Sequence, residues 1–495
     1  MLKKILESTI IMGTSSVLVL TLDLVRVKIL AILLGPSGVG VLSILNHFHV
    51  VGATLIGLGL GTGIAKYVAT FKNENNEAGI QKVLSNSFQI VLFLSLTVLV
   101  ISIFISSHLS NWILSNPKYS LFIIIYAISF PLAVYPTATN SFLLGLKRIK
   151  ALAKINVLRT SISLLFIIPL VYFFRLRGAV ISVLVITTVH LLLNKYYLRK
   201  ETTRYRVLQW QPFEADLLKK LFQYGLTSLL VGSAYYLSHL LLKIIIVNSL
   251  GLEVNGIYQP IWALTMTYLT LVLSSMSAYS YPRLCELTST RDITEELNGI
   301  VRVAVLLITP IMFFLLVVRG PIIQILYSSS FLDATKYMPI QIIGDFFKVL
   351  FWALGMYLLP TKRLFAFIWL NLLQDVVLVG LAVILVSRYQ LYGIVAAFAL
   401  SYLIAFIALY LYSKNKITLS LWPRNRKLLW SSFGALVVIY LGEKQQSSVT
   451  YIVIVVLALG SWALLSVKKD ELLQLKNYIK EKLLNNLPFI GPSSP

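Results

Sequence analysis

The sequence predicts an all-helical, polytopic membrane protein, and three observations predict it. Hydrophobic residues make up 58% of the 495 and charged residues only 13%, about half the charged share of a soluble domain. Mean hydropathy is +0.83. The apolar runs are continuous over about 20 residues and lack period-2 alternation, which selects helices over barrel strands. Together these exclude a soluble globular enzyme, a fibrous protein and a disordered chain. Five histidines and the single Cys285 form no disulfide and no CxxC, HExxH or Cys/His cluster, so no metal or other cofactor is expected. No GxxxxGKS/T loop is present, so the chain is not expected to be an enzyme driven by ATP, and its work would draw on ion or substrate gradients.

In chain order the fourteen spans run over about 10–34, 39–64, 84–107, 119–145, 152–174, 177–197, 220–248, 255–280, 299–319, 336–360, 364–387, 391–412, 428–442 and 448–467. The first is too long for a signal peptide, carries Asp23, Arg26 and Lys28, and lacks a cleavage site. With the N-terminus inside, 31 of the 43 Lys and Arg fall in inside segments and 7 outside. This asymmetry places both termini in the cytoplasm. It also accounts for most of the +24 net charge without nucleic acid. The tail from Lys468 to Leu487 repeats Leu472, Leu475, Ile479, Leu483 and Leu487 between lysines, as an amphipathic helix on an anionic leaflet does.

The two halves repeat at a fixed shift. Gly35 maps to Gly251 at 216; Lys147-Arg148 to Lys362-Arg363, Asn156 to Asn371, and Gly178-Ala179-Val180 to Gly393-Ile394-Val395 at 215. Six spans is an even number, so the repeat is parallel. The expected organisation is two six-helix lobes, 1–205 and 206–413, around a central cavity, then two extra helices and the tail in 414–495.

Ionisable groups at mid-bilayer cost about 2.5–3.5 kcal/mol on insertion scales and line cavities or pair with one another. Eight sit within the spans: Asp23, Arg26, Lys28, Arg159, Lys243, Asp345, Lys348 and Asp375. Five are basic and three acidic. A cationic interior suits an anionic head group, phosphate or pyrophosphate above all, with Arg binding it bidentately and Lys as a point charge. Arg26, Lys28, Arg159, Lys243 and Lys348 are therefore the candidate substrate-binding residues. Asp23, Asp345 and Asp375 are candidates for ion coupling, or simply hold the cations in place. Asp23 and Arg26 are i,i+3 neighbours, as are Asp345 and Lys348. Lys28 lies about 140° around the helix from Asp23. It snorkels outward, or flanks one cavity together with Lys243 at the matched position of the second lobe.

Gly57, Gly59, Gly61 and Gly63 read as close helix packing, not a dinucleotide loop. His47 and His49 read as packed neutral rings, and Asn46, Asn140 and Asn156 as interhelical hydrogen-bonding groups.

The stretch Leu33-Leu34-Gly35-Pro36-Ser37-Gly38-Val39-Gly40, then Gly63-Ile64-Ala65-Lys66-Tyr67-Val68-Ala69, resembles the start of Wzx-type flippases of the multidrug/oligosaccharidyl-lipid/polysaccharide (MOP) exporter superfamily. So do Arg291-Asp292-Ile293-Thr294 and Gln341-Ile342-Ile343-Gly344-Asp345-Phe346-Phe347-Lys348. The likeness is greatest to O-antigen and enterobacterial-common-antigen translocases and runs from about 10 to 412. It implies that an undecaprenyl-pyrophosphate-linked oligosaccharide is moved from the cytoplasmic to the outer leaflet. It also implies a glycan polymerase and a chain-length regulator as partners. Lys28, Asp345 and Lys348 fall on ionisable positions of the family's pattern, whereas Asp23 and Arg26 sit where members vary. The helices after 412 depart from the twelve-span members. Two other readings stay open: an ion-coupled multidrug antiporter, against which the net cationic interior argues, and a membrane-embedded glycosyltransferase, which would need a long catalytic loop.

Overall fold

A computed structural model describes residues 2–202, 205, 207, 210–442 and 448–466. Among them every regular element is helical. The amphipathic tail expected over 468–487 lies outside the described residues.

Helix α1 (Leu2–Gly57) breaks at Gly35, whose φ of 63° suits a residue without a Cβ. Pro36 follows and cannot donate to the ladder. The carbonyl of Leu33, released by the break, accepts from Arg175 Nη1 at 3.2 Å. A second break, with Leu58 at φ 49° and Gly59 at 67°, precedes α2 (Leu60–Asn73). Gly59, Gly61 and Gly63 pack closely, as expected, a Cβ on Gly59 lying 2.6 Å from the Gly225 carbonyl oxygen, whereas a Cβ on Gly57 would meet nothing within 4 Å. Asn76 caps α3 (Glu77–Phe104) by accepting from the Gly79 amide at 2.8 Å. Next come α4 (Ser106–Leu114) and α5 (Ser120–Gly145).

Helix α6 (Ile149–Glu201) turns at Arg175, φ 50°. A Cβ on Gly178 would meet the Leu170 carbonyl oxygen at 1.9 Å. Residues eight apart on a straight helix are about 12 Å apart, so α6 is a hairpin of two segments. The remaining helices are α7 (Ala215–Leu250), α8 (Leu252–Glu286), α9 (Thr290–Leu326), α10 (Met338–Gly355), α11 (Leu364–Ile417), α12 (Pro423–Gly442) and α13 (Ser448–Ser466). Helix α11 turns at Gln390, φ 50°, and its Gly393 approaches Leu385 as Gly178 approaches Leu170.

The repeat read from the sequence is thus written in the backbone. Gly35 and Gly251 both have positive φ, as do Lys147 and Lys362, at 60° and 58°. Arg175 and Gln390, 215 apart, share a φ of 50°. Among the described residues eight helices are long and apolar enough to cross a membrane. Their polarity runs inward: Phe93 and Phe104 are 66% and 83% exposed, while Ser85 and Asn86 of the same helix are fully buried. That is the arrangement lipid demands.

The chain forms two compact units, 1–267 with 319–344 and 362–405, and 268–318 with 345–361 and 406–495. In the first, Ile44, Leu45, Ile123, Tyr126, Val171, Val180 and Ile244 join α1, α5, α6 and α7 in one apolar core. In the second, a polar seam fastens α12 and α13 to α9. Asn298 Nδ2 donates to the Ser420 carbonyl at 3.0 Å, and its Oδ1 accepts from the Trp422 amide at 2.8 Å. Asn425 Nδ2 reaches the Asn298 carbonyl at 2.8 Å. Further along, Arg302 Nη2 donates to the Ser466 carbonyl, and Trp462 Nε1 to Ser432 Oγ at 2.8 Å. The last two helices are therefore an integral part of that unit.

Candidate functional site

The expected Asp23–Arg26 neighbours do pair. Arg26 Nη1 lies 3.5 Å from Asp23 Oδ1 on one turn of α1. Arg159, from the first segment of α6, lies close enough to interact electrostatically with both. The Asp23 carboxylate pairs with Arg26 and acts on the charge of Arg159 from nearby. The Nε of Arg26 and that of Arg159 are both buried without a hydrogen-bond acceptor among the described residues. Tyr126 lines the same region, its hydroxyl donating to Asn46 Oδ1 at 3.0 Å. Behind it His190 Nε2 meets Asn140 Nδ2 at 3.4 Å. Unsatisfied N–H donors on an incompletely neutralised Arg pair have the chemistry to hydrogen-bond an acceptor-rich anion.

The structure does not bring Lys28 and Lys243 to one site. Lys28 Nζ donates to the Gln324 carbonyl at 2.7 Å, near the end of α9, where a cation suits the exposed carbonyls. Lys243 is only 1% exposed. Its Nζ donates to Gln259 Oε1 at 2.8 Å and, at a weaker 3.4 Å, to Ser43 Oγ. The rings of Tyr258 and Trp262 lie 5.6 and 5.7 Å from it. Asn255 braces the same place, donating to the Gly40 carbonyl at 2.8 Å and to Ser43 Oγ at 3.0 Å.

Asp375, buried on α11, accepts from Ser238 Oγ at 2.7 Å. In the second unit Asp345 has no exposure and accepts from Tyr268 Oη at 2.6 Å. Lys348 stands one turn beyond it on α10, half-buried. The two histidines pack as expected. His47 Nδ1 engages the Ser43 carbonyl at 3.0 Å and its ring meets Trp262 edge-on at 4.7 Å. His49 stacks on Phe130 at 5.0 Å and bonds Ser129. Asn46 and Asn140 bond across helices as read, and the side chain of Asn156 has no such bond assigned.

Ser43, Ser238, Asn255, Gln259 and Tyr268 were not legible as site residues, because each is a common neutral polar group. One signal did exist for two of them: the 216 shift that carries Gly35 to Gly251 carries Ser43 to Gln259.

Paired helical hairpins, breaks repeated at one shift and buried charge within apolar helices make up an all-helical membrane-spanning fold that solved structures share. The structure of an inward-facing multidrug resistance MATE family transporter of the MOP superfamily matches with a TM-score of 0.71 at 16% identity, over 80% of this chain and 94% of that one. A MOP superfamily transporter from Pyrococcus furiosus, whose binding pocket is described as of reverse polarity, matches at 0.61 and 14% identity, over 83% and 95%. The chain belongs to the polysaccharide biosynthesis protein family, whose sequence profile matches residues 29–336. It is similar to the lipid III flippase of Escherichia coli (strain K12), 24% identical over 388 residues, covering 77% of this chain and 91% of that protein. The lipid III flippase of Shigella flexneri matches to the same extent. This is a multi-pass protein of the cell membrane.

Proposed function

We propose that the chain is a flippase for an undecaprenyl-pyrophosphate-linked oligosaccharide unit, carried from the inner to the outer leaflet by alternating access for surface polysaccharide of the O-antigen type. The observation that carries this reading is the neighbouring Arg26 and Arg159, which have one carboxylate, Asp23, near them and two buried Nε donors without an acceptor among the described residues. The family and the lipid III flippase relatives support the same substrate class. The pyrophosphate engages Arg26 and Arg159 first, with Lys348 and Lys28 as further cations of the path. Asp23, Asp345 and Asp375 are the ion-coupling candidates. The glycan crosses through protein while the polyprenyl tail stays in lipid. Fourteen crossings, both termini in the cytoplasm and the two repeat-related lobes belong to this reading. So do a polysaccharide polymerase and a chain-length regulator as partners.

A multidrug antiporter is the second reading, favoured by the MATE neighbours. The two additional intramembrane cations argue against it, since a pump for cationic drugs needs a net acidic path.

The test is deletion of the gene followed by extraction of undecaprenyl-linked glycans. Complete units accumulating on the cytoplasmic leaflet, and cleared by the intact gene, support the flippase. Unchanged surface polysaccharide without accumulation, together with ethidium efflux that needs Asp345 or Asp375, supports the antiporter.

A further inference from the structure

Two equivalent backbones cross just after the Gly35 break of α1 and at the start of α8. A Cβ on Gly40 would meet the Leu252 carbonyl oxygen at 2.0 Å, and a Cβ on Gly256 the Pro36 carbonyl oxygen at 1.8 Å. The shift of 216 carries Pro36 to Leu252 and Gly40 to Gly256, so the contact is reciprocal. No side chain separates the strands of chain here, which is how small residues let two membrane segments close on each other. The charge asymmetry of the loops assigns this end to the outer side.

Lys243 is locked into that crossing. Its two acceptors, Ser43 and Gln259, are themselves equivalent under the shift, one from each side of the seam. They engage two of its three N–H donors and leave its charge unneutralised, since no carboxylate stands among its contacts with the described residues. A buried ammonium held only by neutral groups weakens the fold, and a methionine of similar length would fill the space without that cost. Such a group belongs to a second state in which an anion meets it.

We propose that Lys243 is a latch: it ties the outer seam shut in this conformation, and when the seam parts it becomes a ligand for the departing phosphate head group of the lipid-linked substrate. In the closed state it is a positioning residue that touches no substrate. The inference rests on the transport reading above and sets Lys243 apart from the cations that first receive the substrate.

The test uses the full chain with Lys243→Met, and separately Lys243→Cys in a Cys285→Ser background. Lys243→Met is expected to raise the melting temperature of the purified protein while lowering transport at least tenfold per molecule. The cysteine at position 243 is expected to react with a membrane-impermeant maleimide from outside only in cells that make the lipid-linked substrate. Wild-type transport by Lys243→Met overturns the proposal. So does a lowered melting temperature with transport falling only as protein is lost, which is packing alone. Labelling equal with and without substrate overturns the latch. Labelling that inorganic pyrophosphate alone provokes overturns the lipid-borne assignment in favour of the free anion. Failure of the unmutated chain in the transport assay would instead sink the transport reading, leaving the melting shift as a report on the buried charge alone.

Discussion

Replacing Gly256 by alanine puts one methyl group where the Pro36 carbonyl oxygen already lies 1.8 Å away. Ordinary van der Waals contact begins at 3.4 Å, so one backbone has to retreat by about 1.6 Å. The obstacle is a carbonyl oxygen rather than the tip of a flexible side chain, and both segments are anchored by their own ladders. Overpacking of this kind costs about 1–3 kcal/mol or more. Against that, alanine gains about 0.5–1 kcal/mol over glycine in a helix interior. The control is Gly232→Ala on α7, where nothing lies within 4 Å of the added Cβ. It receives the helix gain alone, about 0.5–1 kcal/mol. The two alanines should therefore shift stability in opposite directions, by about 1–3 kcal/mol between them. Melting of the two purified variants beside the unmutated chain reads this directly. Equal shifts, or a Gly256→Ala protein more stable than Gly232→Ala, would refute the close seam.

Other consequences follow from the charge and hydrogen-bond geometry. Arg159→Gln should lower transport at least tenfold while leaving the melting temperature unchanged or higher, because it removes a buried guanidinium whose Nε has no partner; melting and transport of the same preparation check both halves. Lys348→Gln should lower transport far more than Lys118→Gln, which alters an exposed residue in the turn just before α5, and equal transport by the two would remove Lys348 from the path. Asn298→Leu strips three hydrogen bonds from the seam of α9 with α12 and should destabilise the chain by about 1–3 kcal/mol through unsatisfied backbone groups, read as a lower melting temperature and faster proteolysis near residues 417–423. Ser238→Ala should impair transport less than Asp375→Asn if Asp375 couples an ion and Ser238 only orients it, and the ratio of the two transport rates decides it.

Much of the fold was legible because lipid imposes a simple rule. Apolar runs of sufficient length mark helices, and the breaks between predicted spans at 34–39, 174–177 and 387–391 fall on Gly35, Arg175 and Gln390 of the structure. Gly35-Pro36 announced its break chemically. Arg175 and Gln390 did not, since neither residue type favours positive φ, and only their positions between apolar runs marked the turns. The last two helices were placed within a few residues by hydropathy. Their attachment was not legible, because Asn298, Asn425 and Ser432 look like ordinary polar residues until their partners are known. Among site residues, the i,i+3 spacing gave the Asp23–Arg26 pair. The contact with Arg159 needed the packing of α6 against α1, which spacing does not encode. Sequence placed Lys243 beside Lys28 by depth alone. Depth cannot tell a cation that reaches a carbonyl at a helix end from one sealed between two glycine-lined segments.

The central claim is movement of a lipid-linked glycan across a bilayer through a cationic path. The measurement that tests it most directly reconstitutes the full chain in liposomes holding an undecaprenyl-pyrophosphate-linked oligosaccharide and follows how fast units initially on one leaflet become accessible on the other. The account predicts exchange well above that of protein-free liposomes, and its loss in the Arg26→Gln, Arg159→Gln double variant. Exchange no faster than in empty liposomes, or undiminished in the double variant, would contradict it.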